Sequence, residues 1–316
     1  YDAMAGAGPL TASDVARRSG CAERYVREWL NAQAAGGYVA YHRADATYEL
    51  TPEQEQVFAA DDSAVFVPHA WEVVASLWQD APRAADAIRT GGGIAWGDHD
   101  ERLYCGCASF FRNSYTANLI SDWLPSLDGV VERLTAGITV IDVGCGHGHS
   151  TVLMAEAFPN SRFFGVDAHA GSIAAAQALA EEAGLGDRVH FEVGDARSYP
   201  DRGYDLVCFF DCVHDMGFPV DAVAHAAETL APGGTVMLIE PFAGDRAEDN
   251  FNPVGRLYYA ASTTLCCAHA ISEKGTHVLG AQAGARAIAT VCEQAGLSKV
   301  RRTFATPFNM VIEARR

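Results

Sequence analysis

Two groups of residues in this chain have the type and spacing for chemistry. The first is Asp142-x-Gly144-x-Gly146-x-Gly148, an acid followed by glycines at alternate positions. Glycine lets a backbone come close to a ligand and take angles that a side chain forbids. A helix starting just after it offers free N–H groups to an anion. Asp167, at the end of the next apolar run, stands where a carboxylate accepts hydrogen bonds from both hydroxyls of a ribose. The second group is His214 and Glu240, titratable side chains close after further apolar runs. A histidine, with a pKa of about 6.5, can take a phenolic or similar proton near neutral pH. The dinucleotide fingerprint G-x-G-x-x-G would require glycine where His149 stands, so the match to it is imperfect. His147 and His149 have no further ligands in the pattern, and no metal site is expected.

These residues need a sheet to position them. Ile138 to Val143 reads as a buried parallel strand, and Thr151 to Phe158 as a helix ended by Pro159-Asn160. Strands are expected at 162–166, 188–193, 204–210 and 235–240, and helices at 171–183, 221–230 and 285–295. Val300–Ala305 and Asn309–Ala314 are expected to close the sheet as an antiparallel pair. The predicted fold is α/β, a doubly wound, Rossmann-like sheet of seven strands with the last antiparallel. Its ligand crevice lies at the carboxyl ends of the strands.

The alternate glycines, Asp167, Gly194-Asp195-Ala196, Asp211-Cys212-Val213-His214-Asp215 and Ala231-Pro232-Gly233-Gly234 arrive in order. With them, the chain from about Ile138 to Arg316 resembles the class I S-adenosylmethionine-dependent methyltransferases. The resemblance implies S-adenosylmethionine as cofactor, with Asp195 receiving the adenine amino group. It implies a cofactor-binding set of Asp142, Gly144, Cys145, Gly146, Gly148, Asp167, Ala168, Asp195, Ala196, Phe210 and Asp211. In the similar small-molecule O-methyltransferases the fourth strand often ends in Leu-His-Asp-Trp, and its histidine is the general base. Here the sequence reads Val213-His214-Asp215-Met216. His214 is thus the base candidate, although methionine replaces tryptophan and the sequence shows no obvious carboxylate partner for the histidine. Glu240, before Pro241, is a second acid/base candidate. Asp215 is either a helix cap or a substrate contact.

Residues 1–60 outline a winged helix: helices at 11–19 and 22–35, then a hairpin of 38–41 and 47–50. A winged helix suggests DNA binding, but this unit carries eight acidic against five basic side chains. A reading helix usually has a basic surplus. Many natural-product methyltransferases carry a similar unit as a dimerisation module, so a homodimer is expected. In that reading Tyr25, Trp29 and Tyr38 bury against another subunit or the catalytic domain. Residues 61–128 form a helical, aromatic segment expected to roof the cofactor pocket. Phe66, Trp71, Val74, Leu77 and Trp78 mark one of its helices, and Phe111 and Tyr115 are pocket candidates, because aromatic faces stabilise a sulfonium. Residues 129–316 form the cofactor-binding domain. Within it, 242–284 is too long for a simple loop and is expected to be a substrate-side insertion with its own helix at 256–262. Tyr258 and Tyr259 there are substrate candidates, and Cys266 could line the same chamber.

The net charge of −17 repels phosphate backbones. Nine scattered cysteines without a CxxC pair suit reduced thiols in a cytoplasm. No apolar run is long enough to cross a membrane, and the first residues lack signal-peptide character. The expected function is methyl transfer from S-adenosylmethionine to a small aromatic or indolic metabolite. Arg24–Trp29, Cys208–Asp215 and Glu240–Asn250 look like a set of actinomycete methyltransferases, some of them similar to indole C3-methyltransferases that form pyrroloindolines. That likeness favours C3 of a tryptophan derivative. Ordinary O-methylation is the alternative, and a cofactor-sensing DNA-binding regulator the second.

Overall fold

Thr11 starts the first helix by a reciprocal cap: its hydroxyl accepts the Asp14 N–H, and the Asp14 carboxylate accepts the Thr11 N–H. Helix α1 (Ala12–Ser19) ends at Gly20 in the left-handed conformation. Helix α2 (Glu23–Ala35), the hairpin β1 (Ala40–His42) and β2 (Thr47–Glu49), and α3 (Pro52–Phe58) complete the winged-helix unit. Its core holds Val15, Val26, Leu30, Val39 and Tyr48. Tyr25 does not join them and is 80% exposed. The core is small, and it covers only the Val26–Leu30 side of α2. Trp29 packs edge-on to Tyr1, and Tyr38 tilts against Phe58.

Helices α4 (Pro68–Gln79), α5 (Ala81–Thr90) and α6 (Arg102–Asn118) link this unit to the sheet, and α6 runs on into a π-helical turn at Leu119–Trp123. Gly106 lets α4 approach α6, because a side chain there would press on Val73 and Glu72. That contact buries the opposite side of α4 from Trp71 and Trp78, which are 54% and 78% exposed. They are surface residues of the helix that they mark. Phe66 lies before α4 and is buried.

The structure, a computed structural model describing residues 1–316, then follows α7 (Val130–Ala136) with a seven-stranded sheet. The first half comprises β3 (Thr139–Val143), α8 (His149–Ala157), β4 (Arg162–Asp167), α9 (Ala170–Glu182) and β5 (Val189–Val193). The second comprises β6 (Tyr204–Phe210), α10 (Pro219–Thr229), β7 (Leu230–Pro241), α11 (Pro253–Thr264), α12 (Cys266–Ser272), α13 (Gly284–Gln294), β8 (Lys299–Ala305) and β9 (Asn309–Arg315). Strand order is β5-β4-β3-β6-β7-β9-β8, with β9 antiparallel to both neighbours. Alternate side chains take opposite faces. Val140, Leu206, Cys208 and Phe210 join the core under α6 to α9, while Ile141, Val143, Val207 and Phe209 join the core under α10 and α13. The strand order reverses between β3 and β6, which opens a crevice at their carboxyl ends.

Two boundaries differ from expectation. Strand β7 starts at Leu230, paired with Tyr204, so Ala231–Gly234 lies within it. Helix α11 starts earlier than 256, because Asn252 caps the Gly255 N–H and Pro253 suits the first helical position.

Candidate active site

The glycine turn crosses the top of β3. Gly144, Gly146 and Gly148 all have positive φ, at 75°, 52° and 76°. Gly148 needs its bare backbone for packing: a Cβ there would sit 2.6 Å from Phe191 Cζ. A Cβ on Gly146 would meet nothing within 4 Å and would stand in the open cleft. The N–H groups of Gly144 and Cys145 tie the turn to the Val166 carbonyl, and the Gly146 N–H donates to Asp167 Oδ2 at 2.9 Å. Asp167 also accepts the His169 N–H at 2.8 Å. A carboxylate has about four acceptor positions, so two remain for ribose hydroxyls. Beneath the turn, Asp142 Oδ2 accepts from Ser150 and Thr151, while its buried Oδ1 has no partner. Burial pushes the Asp142 carboxyl up to about 6 despite those hydroxyls.

Helix α6 closes one side. Tyr115 is buried against Phe210 and stacks with Phe111, and its hydroxyl reaches Asp211 Oδ2 at 3.4 Å. Asp211 takes a positive φ of 52°, uncommon for a residue with a side chain. Asn309, at the start of β9, holds its other oxygen at 2.8 Å. Burial first, then the nearby Glu240 charge, pushes Asp211 up to about 8.

His214 and Glu240 form one unit. His214 Nδ1 and Glu240 Oε2 lie 2.7 Å apart, and Glu240 Oε1 accepts the Val213 N–H at 3.0 Å. Both side chains are buried. Glu240 is therefore the carboxylate partner that the sequence did not reveal. Both of its oxygens are engaged, one by the Val213 N–H and one by His214 Nδ1. The structure brings the two together because β6 and β7 are parallel neighbours. Burial opposes charge on His214, but Glu240 and the adjacent Cys266 outweigh it and hold the histidine well above its usual pKa.

The remaining candidates divide. Asp215 does not cap a helix; it ends a short 3-10 turn and its carboxylate hydrogen-bonds to no protein group. Tyr258 is partly buried and donates to the Phe308 carbonyl. Tyr259 lines a surface depression with Phe251 and Arg256. The Asp195 carboxylate is held at both oxygens by Arg197, at 2.9 and 2.6 Å. Ala168 follows Asp167 and is exposed, whereas Ala196 follows Asp195 and packs against the core under α10 and α13. Burial is the first cause of low pKa values at His147 and His149, and it takes His149 down to about 4. Sequence reasoning missed Asn309, which lies 98 residues from Asp211 with no local signal. It also missed Glu273, which accepts the Gly217 N–H at 2.7 Å.

A doubly wound sheet with this turn, an acid after the next strand and a histidine–carboxylate pair at the reversal point defines a methyl-transfer scaffold. Residues 134–294, about half of the chain, match the methyltransferase domain family. Residues 1–59 match an Rv2258c-like winged HTH domain. The chain belongs to the methyltransferase domain family, whose methyl donor is S-adenosylmethionine. Three features here fit that donor: the open space above Gly146, the free acceptor positions on Asp167 and the unpartnered Asp142 Oδ1. The chain is 34% identical over 107 residues to 27-O-demethylrifamycin SV methyltransferase of Amycolatopsis mediterranei, covering 33% of this chain and 39% of that protein. It is similarly 34% identical over 103 residues to trans-aconitate 2-methyltransferase of Streptomyces avermitilis, covering 32% and 38%. The chain thus spans well under half the length of these curated relatives. An O-methyltransferase family protein from Burkholderia thailandensis shares the fold over 100% of this chain and 90% of its own, with TM-score 0.71 and 22% identity. No helix is long and apolar enough to cross a membrane.

Proposed function

We propose that this protein transfers a methyl group from S-adenosylmethionine to a small aromatic or indolic metabolite. The observation that carries this reading is the buried His214–Glu240 pair at the carboxyl end of β6, beside the glycine turn. The donor supplies an electrophilic methyl on a sulfonium, so positioning is the protein's main task. Asp167 and the backbone of the turn hold the nucleoside end, and Phe111 and Tyr115 wall the cleft. Glu240 fixes the Nδ1 proton of His214 and leaves Nε2 to accept a proton from the acceptor. A phenol loses its O–H proton to Nε2 as the new O–CH3 bond forms. An indole carbon is nucleophilic without that loss, and the base then removes the proton of the side-chain nitrogen that attacks C2 to close the ring.

The favoured acceptor is C3 of a tryptophan derivative, on the likeness of Arg24–Trp29, Cys208–Asp215 and Glu240–Asn250 to actinomycete methyltransferases, some of them similar to indole C3-methyltransferases. O-methylation is supported equally by the name of the rifamycin relative. The exposed Tyr25, Trp71 and Trp78 support a homodimer. The test is product mass and position after incubation with S-adenosylmethionine and a panel of tryptophan derivatives, indoles, phenols and a short duplex. One added methyl on an indole carbon or a phenol oxygen selects between the two. Salt-sensitive duplex binding with no methylated product would instead support the regulator.

A further inference from the structure

Asp215 is a carboxylate with no stated work. It follows His214 directly at the carboxyl end of β6, is partly buried, and its carboxylate accepts no hydrogen bond from any protein group. The charged groups that face it are His214, His269, Asp211, Glu240 and Glu273. No lysine or arginine is among them. The guanidinium near Glu273, that of Arg197, is committed at both nitrogens to Asp195. His269 is fixed from behind, its Nδ1 accepting the Trp96 N–H at 3.2 Å. Glu273 is likewise held by the Gly217 N–H.

The wall beside Asp215 is apolar and aromatic. Cys107 lies next to it, and Cys107 packs with Leu103, Cys266, Trp96, Tyr104 and Tyr258 in one cluster. An apolar, aromatic cluster thus stands beside four acids, Asp215, Asp211, Glu240 and Glu273. Glu240 already serves His214, so Asp215 is the acid left open. An acidic acceptor entering here would meet like charge with no arginine or lysine to receive it. Burial pushes Asp215 up to about 6, against the pull of His214 and His269, which leaves it ionised at pH 7.5.

Resting on the methyltransferase reading above, we propose that the acceptor carries a protonated amine beside its aromatic ring, and that Asp215 receives that ammonium. The carboxylate then selects amines over carboxylic acids of the same shape. A charge-assisted hydrogen bond of this kind separates such partners by about ten- to hundredfold in affinity.

The test is calorimetric binding to protein saturated with S-adenosylhomocysteine at pH 7.5. The probes are tryptamine against 3-(indol-3-yl)propionate and tyramine against 3-(4-hydroxyphenyl)propionate. The amine of at least one pair is expected to bind about tenfold or more tighter than its acid. Asp215→Asn is expected to remove that preference while keeping S-adenosylhomocysteine affinity, which also shows that the variant folds. Equal or tighter binding of the acids, failure of both amines to bind, or an unchanged preference in Asp215→Asn would overturn the proposal. A matching loss of cofactor affinity in Asp215→Asn would assign the carboxylate to the cofactor and overturn it as well. Cofactor binding with no amine preference removes this inference alone, whereas no cofactor binding by the unaltered protein removes the methyltransferase reading with it.

Discussion

Replacing Glu240 by glutamine tests the logic of the buried pair, because the change is nearly isosteric and moves only protons and charge. Glu240 accepts twice, from the Val213 N–H and from His214 Nδ1. A glutamine has one oxygen and one NH2 group. The backbone donor at Val213 cannot move, so the oxygen must face it. The NH2 then faces Nδ1, which must become an acceptor. The imidazole proton shifts to Nε2, the atom that should receive the acceptor's proton. The base is present but holds the wrong tautomer. A positioned general base contributes about 10²–10⁴ in rate, so kcat should fall by about that factor, or roughly 3–5 kcal/mol at 1.36 kcal/mol per decade. The pH profile should move too. In the unaltered protein Glu240 holds His214 well above its usual pKa, so the base form appears only as pH rises past neutral and the rate climbs there. Without the carboxylate the acid limb should shift to lower pH. Affinity for S-adenosylhomocysteine, measured by calorimetry, should stay the same. The assay is kcat against pH with the acceptor found by product analysis. An unchanged kcat, or a fall with no movement of the acid limb and intact cofactor binding, would refute the role assigned to Glu240.

Asp167→Ala should abolish S-adenosylhomocysteine binding by calorimetry while leaving the circular dichroism spectrum intact, since Asp167 is only partly buried at the end of β4; retained binding would move the ribose site elsewhere. Gly148→Ala should destabilise the fold by about 2–4 kcal/mol in denaturant titration, because it combines left-handed backbone with a Cβ 2.6 Å from Phe191. Asp142→Asn should stabilise. Its carboxyl rises from 3.8 to about 6 on folding, so the cost of its charge grows as pH rises through that window and is full above it. At 1.36 kcal/mol per pKa unit the gain should approach about 3 kcal/mol at pH 7.5 and shrink to about half of that at pH 5, and a pH-independent effect would contradict it. The same variant should bind S-adenosylhomocysteine more weakly, because Asp142 seats the turn through Ser150 and Thr151.

The sequence by itself determined the sheet and the cofactor turn. Runs such as Ile138–Val143 and Tyr204–Phe210 are apolar because both faces of a central parallel strand are covered, and that condition is local enough to read from composition. Glycine at 144, 146 and 148 is legible for the same reason, since a positive φ is a demand of the backbone itself. Which side chains meet across the cleft is a different matter. The partner of His214 lies 26 residues away, and only the pairing of β6 with β7 brings it within 2.7 Å. Asn309 reaches Asp211 because β9 runs antiparallel beside β7 and returns its first residue to the carboxyl ends of the parallel strands. The same limit explains Tyr25, Trp71 and Trp78. Helical spacing gives the direction of an apolar side chain around its own axis, but what covers that direction is set by neighbours far along the chain. The tertiary structure alone decided that these rings face outward, that Tyr259 lines a surface depression and that the Asp215 carboxylate has no hydrogen-bond partner.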